Sequence, residues 1–119
     1  MRRGGVELLV GVTRDESWGL MLTVAPGGVL VELLDDPSIT SLPTTSAAIH
    51  RLLAQPRLAR ALGGFRGSPP ADLDALAKVI HAVADVAVAG GDRLAAIEIN
   101  PLRVNGAEIE ALDALVLWR

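Results

Sequence analysis

Asn105-Gly106 constrains this chain more than any other pair of residues. Both residue types tolerate positive φ, and between β-forming runs the pair is the strongest short-range signal for a hairpin. A two-residue turn there sets Val104 against Ala107, and the pairing read outward brings Glu98 opposite Asp113. Side chains alternate faces along a strand, so Glu98 and Asn100 share a face. Ala111 and Asp113 join it, with Asn100 diagonal to Asp113. Two carboxylates and a carboxamide therefore converge on one patch of sheet. Facing carboxylates repel, which costs stability unless something neutralises them. Two readings are open. One is a solvated acidic patch, common on sheet surfaces. The other is a site for a hard cation such as magnesium, which takes oxygen ligands from one or two carboxylates and from substrate phosphates. A slip of one residue would send Asp113 to the opposite face.

Composition narrows the partners. The chain has 119 residues, half of them hydrophobic, which suits a single domain spanning 1–119 with one modest core. A net charge of −3 leaves no electrostatic footprint for nucleic acid. Cysteine is absent, which excludes disulfides, thiol chemistry and Cys-zinc sites. His50 and His81 stand without a partner at metal-ligand spacing. Met1-Arg2-Arg3 leads into Gly4-Gly5, and the next apolar run is broken by Glu7 and Gly11. Neither a signal peptide nor a membrane span is read there, so the expected compartment is the cytoplasm.

Residues 6–12 read as a strand with Val6, Leu8, Val10 and Val12 on one face and Glu7, Leu9 and Gly11 on the other. Both faces are mostly apolar, so the strand is expected to be central and covered on both sides. Glu7 then needs either a partner, such as Arg14, or a role. After a turn over 13–19, a second strand runs over 20–24, and Pro26-Gly27-Gly28 follows. That segment is either a hairpin turn into a third strand over 29–34 or a loop whose amides approach a phosphate. Asp35-Asp36-Pro37 ends the third strand.

Thr44-Thr45-Ser46 supplies N-cap residues for a helix that buries Ala48, Ile49, Leu52 and Leu53 and stops at Pro56. A short helix is expected over 58–62. Gly63 to Gly67 is a loop in which Phe65 enters the core or Arg66 meets an anion. Ser68-Pro69-Pro70 opens the longest helix, over 71–89, with a stripe of Leu73, Leu76, Ala77, Ile80, Val83, Ala84 and Ala87. His81 lies beside the stripe, and Gly90-Gly91 caps the end. The closing hairpin spans about 94–117. The sum is an α+β domain with a mainly antiparallel sheet.

Four segments, in this order, resemble the second lobe of an ATP-grasp domain. They are Gly5-Val6-Glu7-Leu8-Leu9-Val10-Gly11-Val12-Thr13-Arg14-Asp15 with Trp18-Gly19, then Gly27-Gly28-Val29-Leu30-Val31-Glu32, then Gly64-Phe65-Arg66-Gly67-Ser68-Pro69-Pro70, and Glu98-Ile99-Asn100-Pro101-Leu102. The subfamily is that of the NDP-forming acyl-CoA synthetases, and the likeness runs from about Gly4 to Leu117. It implies the C-terminal lobe of an ATP-grasp fold, with helices packed on an antiparallel sheet. It implies magnesium ligands at Asn100 and Asp113, and Glu98 beside the phosphate being transferred. Gly27 and Gly28, with Glu7, would lie close to the nucleotide. In this family phosphate passes from ATP to a histidine on a CoA-binding partner, then to an acyl phosphate that CoA attacks. The partners implied are the first lobe, expected to be absent from this chain, and the phosphohistidine region. The same module also occurs on protein acetyltransferases, where a regulatory, non-catalytic role is the alternative. Leu20 stands where the family usually has proline, and Thr40 where an Arg is common. The chain alone is expected to complete no reaction, and its uncovered first strand is expected to drive self-association.

Overall fold

The computed structural model describes residues 5–27, 38–64 and 69–119. Among these, β1 is Val6–Asp15, β2 is Gly19–Pro26 and β3 is Ser38–Ser41. Three helices follow: α1, Ser46–Leu53; α2, Pro56–Leu62; and α3, Leu73–Ala89. A 3-10 turn over Gly91–Arg93 leads into β4, Leu94–Asn105, then β5, Glu108–Ala111, and β6, Ala114–Trp118. The sheet runs β3-β2-β1-β4, and β5 and β6 both pair with the far side of β4. Every pairing is antiparallel.

The β1–β2 hairpin closes locally. The Asp15 carboxylate accepts the Ser17 and Trp18 N–H groups at 2.8 and 2.9 Å, and Gly19 takes the positive φ that reverses the chain. β3 lies just beyond the proline expected to end a strand, with Thr23 opposite Ile39. The strand expected over 29–34, along with Gly28, Phe65 and Arg66, lies outside the described residues.

Helix boundaries follow their caps. Thr45 Oγ1 accepts the Ala48 N–H at 3.1 Å. Pro56 ends α1 and also opens α2 at its first turn, so α2 starts earlier than residue 58. For α3 the cap is Asp72, whose carboxylate accepts the Ala75 N–H at 3.1 Å. Pro69 and Pro70 precede the helix instead of sitting in its first turn. At the far end Gly91 adopts φ +61 after the Gly90 C-cap.

One core holds the molecule. Leu8, Val10, Val12, Leu22 and Val24 from the sheet pack with Ile49, Leu53, Leu58, Leu76 and Ile80 from all three helices. Each such side chain contributes about 1.5–3 kcal/mol on burial. Two expectations need correction here. Leu73 and Val83 sit at the margins of the α3 stripe, the first exposed and the second half-buried. The first strand is not covered on both sides either, because all three helices use the Leu8–Val10–Val12 face. The other face carries Glu7 and Thr13 exposed and Leu9 half-buried.

Arg14 ties the two ends of the fold together. Its guanidinium donates to the Leu94 carbonyl at 3.0 Å and to the Gly91 carbonyl at 2.6 Å. It is therefore not the partner of Glu7. Both histidines have an acidic neighbour after all: His50 Nε2 lies 3.2 Å from Asp74, and His81 Nδ1 lies 3.2 Å from Asp85 one turn on. No helix among the described residues is long and apolar enough to cross a membrane.

Candidate functional site

β4 builds the site by means of a bulge. Val10 pairs with Ile99 and Leu8 with Leu102, so Leu9 alone faces both Asn100 and Pro101. One extra residue on a strand reverses its alternation. Ile97 and Ile99 point into the core before the bulge, and Leu102 and Val104 do so after it. Glu98 and Asn100 are left on the outward face, both exposed. The sequence Glu98-Ile99-Asn100-Pro101-Leu102 thus places polar groups outward without giving up a core position.

The hairpin turn is Gly106-Ala107, not Asn105-Gly106. Asn105 pairs with Glu108 and Val104 with Ile109. A two-residue turn needs positive φ at its first central residue, and Gly106 supplies it at +62°. The register is therefore shifted by two from the expected one. Glu98 faces Leu115, and Asp113 faces Asn100, whose N–H donates to the Asp113 carbonyl at 3.1 Å. The shift has a physical reason: it relieves the direct carboxylate–carboxylate pair and sets a carboxamide opposite Asp113. A shift of two keeps Glu98, Asn100 and Asp113 on one face. Ala111, expected beside them, instead pairs with Leu102 and lies on the core side with Ile109, because the alternation reverses at the bulge. Glu98, Asn100 and Asp113 accordingly still meet, lining a cavity of about 150 Å³ with Ala114 and Leu115.

A second cavity adjoins the first. Leu9, Gly11, Thr13, Thr23, Ala25, Ala96 and Ile97 form a trough of about 300 Å³ that ends at Glu98. Glu98 is the residue common to both cavities. Sequence reasoning assigned the Leu9–Gly11 side of the first strand to a buried layer and missed this trough. The small and hydroxylated residues Gly11, Thr13, Thr23 and Ala25 were the available signal, since they leave a sheet face shallow.

Glu7 and Gly27 lie elsewhere on the outward face. Glu7 stands opposite Arg103 on β4, exposed instead of buried. The Gly27 N–H donates to the Glu7 carbonyl at 2.6 Å. A Cβ on Gly27 would lie 2.8 Å from that carbonyl oxygen, so the close approach requires glycine. Neither residue lines the cavity of Glu98, Asn100 and Asp113. Gly28 is outside the described residues.

The described residues contain no cluster of three or more His, Cys, Asp or Glu able to cage a metal. A cation at Glu98 and Asp113 would have two carboxylates, the Asn100 carboxamide oxygen, and water or an anion. That oxygen-only set with open positions fits magnesium, which keeps several waters and uses few protein carboxylates.

A model of the ATP-grasp domain matches residues 1–117. The chain belongs to the ATP-grasp family. Its relatives are acyl-CoA synthetases. This ATP-grasp chain is 37% identical over 101 residues to an ADP-forming acetate–CoA ligase of Archaeoglobus fulgidus, covering 85% of the chain and 15% of the relative. It is 35% identical over 119 residues to a trans-feruloyl-CoA synthase from an unknown prokaryotic organism, covering 98% of the chain and 17% of the relative. With the β subunit of an ADP-forming acetate–CoA ligase of Pyrococcus furiosus it shares 27% identity, and there it spans 51% of the subunit. Among solved structures, the dinucleotide-forming acetyl-coenzyme A synthetase 1 of Ca. Korarchaeum cryptofilum, in complex with coenzyme A and Mg-AMPPCP, superimposes with a TM-score of 0.86. Identity there is 28%, over 100% of this chain and 55% of the other. The ATP-grasp chain thus spans about half or less of the relatives it matches.

Proposed function

We propose that this chain is the second lobe of the ATP-grasp domain of an ADP-forming acyl-CoA synthetase, and that its outward sheet face receives the phosphates of a magnesium nucleotide. The observation that carries this reading is the meeting of Glu98, Asn100 and Asp113 in one cavity, on a chain matched by the ATP-grasp model over 1–117. The relative in complex with Mg-AMPPCP has the same fold over the whole of this chain.

Magnesium, when bound, neutralises phosphate charge and polarises the phosphoryl oxygens. The residues do the positioning, which is most of what a protein contributes to phosphoryl transfer. Asn100 on β4 and Asp113, in the link between β5 and β6, would hold the ion. Glu98 stands one pleat along β4, beside the phosphoryl group that leaves ATP. The trough from Leu9 to Ala25 takes the less charged part of the nucleotide, and Glu7 with Gly27-Gly28 lies further along the same face. The phosphoryl acceptor is a histidine on a CoA-binding partner, which passes the group to a carboxylate to give an acyl phosphate; the CoA thiol then attacks the acyl carbon and phosphate leaves. The first lobe comes from another part of the protein or a separate subunit.

Calorimetry of magnesium-ATP binding, with the first lobe supplied, tests this. Asp113→Asn and Glu98→Gln should each weaken binding by at least about tenfold, or 1.4 kcal/mol. Phosphorylation of the partner histidine should fall in parallel. Unchanged binding in both variants overturns the assignment. For the chain alone, magnesium affinity should be around millimolar, roughly −4 kcal/mol, because the phosphates that complete the shell are missing.

A further inference from the structure

The outer edge of β6 is open and apolar. No described strand pairs with it, and Leu115, Val116, Leu117 and Trp118 are 52%, 44%, 49% and 63% exposed. Between Asp113 and Arg119 the strand has no charge and no proline, the devices that normally guard an edge. We propose that two copies of this chain pair through this edge, antiparallel, about a two-fold axis at Val116.

Backbone geometry supports that register. Asn100 donates to the Asp113 carbonyl, and the Arg119 N–H donates to the Arg93 carbonyl at 2.8 Å. The odd-numbered residues of β6 therefore turn their backbone groups toward β4. Alternation leaves the N–H and C=O groups of Ala114, Val116 and Trp118 at the free edge. Full-length antiparallel pairing sets Val116 opposite its copy and Ala114 opposite Trp118, so all outward groups fall at hydrogen-bonded positions. Leu115 then faces Leu117. At each end Asp113 of one copy faces Arg119 of the other, giving two opposite-charge pairs. The edge is complementary to itself, as an isologous interface requires.

Side-chain volumes agree. The wide indole of Trp118 meets the small Ala114, on the face where Ala114 and Val116 border an apolar groove of about 400 Å³ under Val83 and Val86. Each copy thereby lends its Trp118 to the groove of the other. The backbone pairing over Ala114–Trp118 does not rest on the nucleotide reading, although Asp113, at its end, also lines the cavity of Glu98 and Asn100.

Sedimentation of the 119-residue chain over a concentration series tests the proposal, with amide hydrogen exchange as a second readout. A monomer–dimer equilibrium without larger species is expected, with the Ala114, Val116 and Trp118 amides protected in the dimer. Val116→Pro removes an outward N–H and leaves the β4 ladder intact, so it should yield monomer. Arg119→Glu should weaken the dimer by about tenfold, as two opposite-charge pairs become like-charge pairs. Adding Asp113→Arg to Arg119→Glu should restore it. A wild-type chain that stays monomeric throughout overturns the proposal. So does a dimer that both single variants leave unchanged, which would place the contact on another surface or with another partner.

Discussion

None of the three oxygen donors at the head of the site is buried, so their removal should register in binding and hardly at all in folding. Asp113→Asn should change metal-free stability by less than about 0.5 kcal/mol, the usual range for exposed positions. A melting curve recorded in chelator checks this, and a large loss would mark Asp113 as a structural residue. Gly27 behaves in the opposite way. An added methyl meets the Glu7 carbonyl at 2.8 Å, so Gly27→Ala should cost about 1–3 kcal/mol in urea denaturation. At this scale the sequence made the site legible to the face but not to the pair. A period of two assigns Glu98, Asn100 and Asp113 to one side whichever even register holds. Which residue faces Asp113 depends on whether Asn105 or Gly106 opens the turn, and both residue types can do so. Glu7 was misplaced because apolar neighbours on its face were taken for a covered layer.

The long helix shows how far periodicity carries. Ile80 is fully buried at the centre of the α3 stripe, whereas Val83 is half-buried beside the apolar groove. Ile80→Asp should cost several kcal/mol by burying an unpaired charge. Val83→Asp should cost clearly less, because its carboxylate can turn to water. Comparing the two midpoints in one denaturant series tests the assignment, and equal losses would mean that the groove is closed. The stripe itself was legible, as were the Thr45 cap, the Gly90-Gly91 stop and the Pro56 break. Its margins were not, since a helix shows its neighbours only by how wide a face they cover. The short β3 was also missed. Ser38-Ile39-Thr40-Ser41 has little β signal of its own and is held by pairing with β2.

Over the whole molecule, the sheet has one face committed to the core and one left open. Leu8→Ala should cost about 2–5 kcal/mol, as for a buried leucine, and Leu9→Ala less than half of that. Equilibrium unfolding of both variants checks the asymmetry. The α+β architecture was readable from the order of strand-like and helix-like runs, but one-sided coverage depends on where three helices land. The same topology has a consequence in time. β1 lies between β2 and β4, and β4 begins only at Leu94. With ribosomes adding about 5–20 residues per second, roughly five to twenty seconds separate the synthesis of the first strand from that of its second neighbour. Throughout that interval the central strand of the finished sheet is an edge strand. Until β4 is made, the nascent chain presents one side of β1 as an open edge, which is when a holding chaperone would matter most.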